Sequence, residues 1–203
     1  IETTAVASAA PAVSSASTII SNGECQGCHS DKNLKRESGP ASGTLVFVPD
    51  DALKGSPHES HNCVDCHVDV KEIPHAPRLA TAACGLCHPQ ALEDHDASIH
   101  GLAEAKKNPD APACSDCHGR HAIKRGTDAG SPTNSKNVAM TCAKCHQNLE
   151  KSKRNHFNVV DPLKDYQTSV HFSAIQKGLK AANCSTCHGN HLIRKSQDPR
   201  SAT

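Results

Sequence analysis

The sequence predicts short α-helices and irregular segments, with little or no β-sheet, around an interior that side chains alone do not fill. Two observations predict this fold class. Leu, Ile, Val and Phe make up only 33 of the 203 residues, below the roughly 20% at which disorder becomes the usual expectation. The chain nevertheless contains 12 Cys and 15 His at a formal net charge of +1, which is unlike a disordered chain. Something other than an ordinary apolar core must therefore organise it.

All twelve cysteines belong to one motif, C-x-x-C-H, which is the spacing of covalent c-type haem attachment. On a helical turn, residues i, i+3 and i+4 share a face, so two thioether bonds and one proximal imidazole reach the same macrocycle. The sequence therefore predicts six haem c groups, with the chain wrapped around them. Numbered along the chain, the six sites are Cys25/Cys28/His29, Cys63/Cys66/His67, Cys84/Cys87/His88, Cys114/Cys117/His118, Cys142/Cys145/His146 and Cys184/Cys187/His188.

Two other interpretations of a C-x-x-C pair are half of a structural zinc site and a redox-active dithiol. Neither requires a histidine directly after the second cysteine, and all six motifs have one. Haem attachment is therefore the favoured interpretation.

An internal repeat divides the chain. Cys25, Cys84 and Cys142 are 59 and 58 residues apart, and each opens a segment with the order C-x-x-C-H, Ser-x-His, C-x-x-C-H and a further His. The predicted divisions are an extended N-terminal arm at 1–20 and dihaem units at 21–80, 81–138 and 139–203.

The same repeat selects the second, distal ligands from the nine histidines outside the motifs. The three Ser-x-His elements contribute one each, and one more follows the second motif of each unit. His61, His95 and His156 have no repeated counterpart and are predicted to lie at the surface or at haem edges. The six predicted distal ligands are His58, His75, His100, His121, His171 and His191.

His121 and His191 lie only three residues beyond the proximal histidines of their own motifs. This distance is too short to pass round a macrocycle, so we expect both to ligate the iron of a neighbouring haem. Gly119 and Gly189 precede them and are expected to turn the chain sharply off the attachment helix.

The N-terminal sequence and the charge balance give expectations about location and partners. The chain begins with Ile and shows no charged segment followed by an apolar one, as expected after removal of a secretory signal. The longest apolar stretch, Leu45–Val48, is too short to span a membrane. With 22 basic and 21 acidic residues, nucleic acid is not an expected partner. We expect a location outside the cytoplasmic membrane, extracellular or at the cell surface, with the periplasm as the alternative.

The repeated order Ser-x-His, C-x-x-C-H-G-x-H resembles multihaem c-type cytochromes of metal- and sulfate-reducing prokaryotes, a group that includes extracellular nanowire subunits. The runs from Ser169 to His191 and from Gly55 to His67 carry the resemblance. It implies bis-histidine haems in a continuous stack and long-range electron transfer rather than catalysis. The expected partners are further copies of the chain, other multihaem cytochromes and extracellular electron acceptors.

Other functions are left as alternatives. Asp198 and Ser201 match Asp128 and Ser131, after which a new unit begins, so a fourth unit would be due after Thr203. Either the repeat simply terminates there, or the N-terminal arm and Cys25 of another copy take its place, and the second alternative favours a filament subunit. A soluble periplasmic multihaem carrier is the alternative. A multihaem reductase needs one iron without a sixth protein ligand, and no C-x-x-C-K motif signals one. Haem or metal storage has no positive feature.

Overall fold

The computed structural model describes residues 20–39, 41–157 and 161–201. Apart from Ile20, the predicted arm lies outside them. The described chain contains ten α-helices and one 3₁₀ helix, and its β pairing is limited to an isolated antiparallel bridge between Lys35 and Leu45. A mostly helical and irregular chain without a β-sheet is what the sequence predicts. No described helix is both long and apolar enough to cross a membrane.

Six of these helices carry the C-x-x-C-H motifs, as predicted. Each is short and contains or begins with the first cysteine of its motif. They are α1 (Asn22–His29), α2 (Cys63–Cys66), the 3₁₀ helix (Cys84–Leu86), α5 (Cys114–His118), α6 (Val138–His146) and α10 (Cys184–His188).

The second site of each unit caps its own helix through the residue before the second cysteine. Asp65 and Asp116 accept hydrogen bonds from the backbone N–H groups of Asn62 and Ala113, both at 2.8 Å. In unit three, the Thr186 hydroxyl accepts one from Asn183 N–H at 3.2 Å. A side chain that satisfies an N-terminal donor stabilises a helix too short to persist by propensity alone.

The other five helices are α3 (Pro89–Asp96), α4 (Ile99–Ala105), α7 (Leu149–Asn155), α8 (Pro162–Gln167) and α9 (Val170–Gln176). The pairs α3–α4 and α8–α9 form helical hairpins, each with a proline at the first position of its first helix. Each occupies the stretch between the first and second sites of its unit.

The apolar core of the described residues is small. Ala139 and Ala143 of α6 pack against Leu163 of α8, with Tyr166 and Cys184 partly buried beside them. Elsewhere apolar side chains lie open, including Leu86 at 68% and Val170 at 79% exposure. Both are next to residues of the predicted haem sites.

Polar contacts join unit two to unit three. Arg154 of α7 donates two hydrogen bonds to Asp110, at 2.8 and 2.9 Å, and Asn155 adds a third at 2.9 Å. The Arg154 guanidinium lowers the pKa of Asp110 to about 2. In addition, the backbone N–H of Ile99 donates to the carbonyl of Ile193 at 2.9 Å. The chain after site 6 therefore returns to α4 of unit two.

Candidate haem-ligand pairs

In units two and three, the serine of the Ser-x-His motif is a helix N-cap. Ser98 is fully buried, and its hydroxyl accepts hydrogen bonds from the backbone N–H groups of His100 and Gly101, both at 3.1 Å. Ser169 caps α9 in the same way through Phe172 N–H at 3.1 Å. In unit one, Ser56 accepts from His58 N–H at 3.1 Å. The motif thus fixes His100 and His171 in the first turn of a helix, and in unit one Ser56 holds His58 within a turn.

The histidine after each G-x-H motif also has a defined backbone. Gly119 and Gly189 end α5 and α10 with φ values of +82° and +87°. Side chains with a Cβ rarely adopt this region, so the predicted sharp turn at both glycines is confirmed. It directs His121 and His191 away from the helix that carries their own cysteines.

Five of the predicted distal histidines each lie against one proximal histidine. Metal–imidazole bonds of about 2 Å on both sides of an iron would put two ring centroids about 6 Å apart. The observed centroid distances span 5.8 to 6.3 Å, so these residues fit an iron held between two imidazoles. The pairs are His29–His75 at 6.0 Å, His67–His121 at 6.3 Å, His58–His88 at 6.0 Å, His118–His191 at 5.8 Å and His100–His146 at 6.3 Å.

Four of these five pairs connect different units. The Ser-x-His histidines of units one and two, His58 and His100, lie against the first site of the following unit. The G-x-H histidines of units two and three, His121 and His191, lie against the second site of the preceding unit. Both of the latter reach a neighbouring site, as their short distance from their own motifs predicts. His75 is different, since it pairs within unit one.

The sixth pair is not brought together. Among the described residues, no ring contact joins His171 to His188, the two candidates that remain. His188 does act on the electrostatics of His146 at site 5.

The three remaining histidines take different positions. His61 Nδ1 lies 3.4 Å from Asp65, and its ring is 6.0 Å from that of His58 rather than against a proximal histidine. His95 Nδ1 lies 3.8 and 3.9 Å from carboxylate oxygens of Asp96 and Glu104. His156 is the left-handed residue that ends α7. Its neighbour Phe157 stacks on the His146 ring at 4.7 Å, a contact that no sequence pattern indicated.

Burial keeps several of these imidazoles neutral. It is the main cause that lowers the pKa of His100 to about 4, with contributions from His146 and His95. Burial likewise lowers the pKa of His118, His121 and His146. A neutral imidazole has a free lone pair, which a metal ligand requires. No described group of three or more His, Cys, Asp or Glu side chains could hold a metal ion, so the grouping here is by pairs.

None of the twelve cysteines forms a disulfide, and cysteines of consecutive sites lie close enough to interact. Each of five thiol pKa values is raised in part by a cysteine of an adjacent site. The interacting pairs are Cys63 with Cys25, Cys66 with Cys84, Cys114 with Cys84, Cys117 with Cys145 and Cys142 with Cys184. The order of the sites in space therefore follows their order in the chain.

The cysteines differ in exposure: seven of the twelve are partly buried and five are exposed. An accessible thiol can react with a macrocycle, so this exposure is compatible with the predicted attachment. The exposed cysteines are Cys28 at site 1, Cys66 at site 2, Cys84 and Cys87 at site 3, and Cys187 at site 6.

Four of these exposed residues, Cys28, Cys66, Cys87 and Cys187, are the second cysteines of sites 1, 2, 3 and 6. Cys87 and Cys187 each act on a residue outside their own motif. Cys87 contributes to the raised pKa of Cys66, and Cys187 contributes to the raised pKa of Tyr166, after burial and Cys184. The Cys187 thiol therefore lies near the small apolar core, although it is not covered by it.

Besides His67 Nδ1, two polar atoms are buried without a hydrogen-bond partner in the described structure, Gln26 Oε1 and Arg36 Nε. Both lie in unit one. A buried guanidinium N–H suits a carboxylate such as a haem propionate.

Comparison of the chain with protein families, curated proteins and solved structures gave no match.

Proposed function

We propose that the protein conducts electrons through six covalently attached haem c groups, most of them bound between two histidines from different parts of the chain. One observation carries this proposal. Five histidine pairs have the spacing that a bis-imidazole iron requires, and each combines a C-x-x-C-H histidine with a distal histidine chosen from the repeat alone.

The pairs assign ligands to five sites. Haem iron would supply one-electron chemistry by alternating between its ferric and ferrous states. The chain's own histidines would hold both faces of each iron, leaving no coordination position for a substrate. The distal ligands at sites 1 to 5 are His75, His121, His58, His191 and His100.

The contacts between consecutive sites support conduction. Cysteines of sites 1 and 2 interact, as do those of each following pair up to sites 5 and 6. Groups attached to these cysteines would form an unbroken series, which electron transfer over the length of the molecule needs. Arg36 is a candidate for holding a propionate.

The ligation of the iron at site 6 distinguishes an electron conduit from a reductase. By elimination we propose His171 as the distal ligand of His188, an assignment that rests on the repeat and not on a described ring contact. A reductase of small nitrogen compounds, which requires one open iron, would have it here.

Mass spectrometry and EPR of the purified holoprotein test the proposal. We expect the mass of the chain plus six haems and ferric signals that are low-spin throughout. A stoichiometric high-spin signal would favour the reductase. A mass without haem, together with bound zinc or a reversible dithiol, would contradict the proposal altogether.

We further propose that the protein acts outside the cytoplasmic membrane, as a subunit of an extracellular filament. Haem attachment to C-x-x-C-H and the resemblance to nanowire-forming cytochromes support this. Its partners would be other copies, other multihaem cytochromes or extracellular acceptors. Electron microscopy of native material should reveal filaments that deletion of residues 1–20 abolishes. A purely monomeric preparation would favour the soluble periplasmic carrier.

A further inference from the structure

Unit one contains a structure that the other units lack. Where they have helical hairpins, residues 34–46 form a small backbone hairpin. Arg36 N–H donates to Thr44 O at 2.9 Å, and Val46 N–H donates to Leu34 O at 3.0 Å. Gly43 closes the turn at φ +82°, with its own N–H donating to Arg36 O at 2.8 Å.

This hairpin sets a carbonyl against the proximal histidine of site 1. His29 Nδ1 lies 2.8 Å from the Val46 carbonyl, and Val48 N–H donates to His29 O at 2.8 Å. The distal candidate is held likewise, with His75 Nδ1 2.8 Å from the Ala76 carbonyl. Because a carbonyl only accepts, both Nδ1 atoms carry the proton, and both Nε2 atoms are left free to ligate.

Site 2 has the opposite surroundings. His67 Nδ1 is buried with no hydrogen-bond partner among the described residues. Its distal candidate, His121, directly follows Arg120 in the chain.

These differences act on the iron in opposite directions. An Nδ1–H that donates to a carbonyl makes the imidazole a stronger electron donor, which favours ferric iron and lowers the reduction potential. A ligand without this bond donates less. A nearby positive charge favours the ferrous state and raises the potential. The unit-one hairpin carries two cations, Lys35 and Arg36, followed by Glu37. Arg36 would be neutralised by a propionate at its unpaired Nε.

We propose that site 1 has a lower reduction potential than site 2, set by the Val46 and Ala76 carbonyls at site 1 and by Arg120 at site 2. This inference rests on the proposed function and adds to it an energetic preference of the electron for one site over the other. An electron shared between the two sites resides mainly on site 2. Site 4 provides an internal comparison, because Asn190 precedes His191 where Arg120 precedes His121.

A redox titration of the holoprotein followed by NMR, which resolves individual haems, tests the proposal. In the wild type, site 2 should become reduced before site 1 as the solution potential is lowered. Arg120→Asn should lower the potential of site 2, and the reciprocal Asn190→Arg should raise that of site 4. Each variant should move site 1 by less than it moves the site whose ligand neighbour is changed.

A second variant tests the hairpin. Gly43→Val should open the turn, raise the potential of site 1 and speed hydrogen exchange at His29 Nδ1, while the iron stays low-spin. Gly178→Val is the matched control, because it also replaces a glycine at positive φ, here +80° at the end of α9, far along the chain from site 1. It should leave site 1 unchanged.

Two results would overturn the inference: reduction of site 1 before or together with site 2, or unchanged potentials in both Arg120→Asn and Asn190→Arg. If Gly43→Val does not fold, the potentials of Arg120→Asn and Asn190→Arg still test the inference. Failure of the proposed function looks different, since it would give missing haems or high-spin iron in the wild type before any potential is compared.

Discussion

Histidines close together in the chain differ in what surrounds them, and this separates candidate ligands from other residues. His95 and His100 are five residues apart at the two ends of the α3–α4 turn. The His95 ring, 13% exposed, lies near carboxylates of Asp96 and Glu104. The His100 ring faces that of His146, and burial keeps it neutral. Only the second arrangement fits an iron between two imidazoles.

Replacing either histidine by alanine distinguishes them. His100→Ala should remove the distal ligand of site 5 and turn one haem in six high-spin, measured by EPR and by the charge-transfer region of the optical spectrum. His95→Ala is the matched control on the same hairpin, and its haems should all stay low-spin. High-spin iron in His95→Ala with a native spectrum in His100→Ala would refute the assignment.

At the scale of elements, the sequence predicts the attachment helices well because their chemistry requires a helical turn at each C-x-x-C-H. It does not predict the hairpins α3–α4 and α8–α9, whose sequences lack a strong apolar period. The pairing of His58 with His88, one unit away, is also beyond the repeat. The repeat indicates which histidines are equivalent, but the partner of each depends on how successive units pack.

The serine caps link these hairpins to the candidate ligands. Ser98→Ala should remove both hydrogen bonds at the start of α4 and cost about 1 kcal/mol. Since His100 lies in this first turn, site 5 should lose its low-spin signal at a lower temperature than the other sites. Thermal unfolding of the holoprotein, followed in the Soret band, measures both effects.

Ser173→Ala is the control for the cap. Ser173 is exposed within α9, where alanine is the better helix former, so stability should be unchanged or slightly raised. Equal destabilisation by the two substitutions would show that the serine hydroxyl has no special role at the cap.

At the scale of the whole molecule, the units are connected mainly by histidines that lie at the sites of neighbouring units. Histidines from units two and three lie at sites of the preceding unit, and those from units one and two lie at sites of the following one. Asp110 and Arg154 add a polar connection between units two and three. Ligation across units would therefore join segments that few apolar contacts hold together.

This arrangement predicts that the chain without haem is unfolded. The largest apolar cluster in the described part is Ala139, Ala143 and Leu163, far too little to offset the entropy of ordering a chain of this length. The exposed apolar side chains beside the sites, such as Leu86 and Val170, are the surface that haem would cover. Apoprotein made without haem attachment should show no cooperative thermal transition by circular dichroism, whereas holoprotein in the same buffer should unfold cooperatively. A cooperative transition in the apoprotein would mean that the polypeptide has a core of its own and that its folding does not depend on the haems.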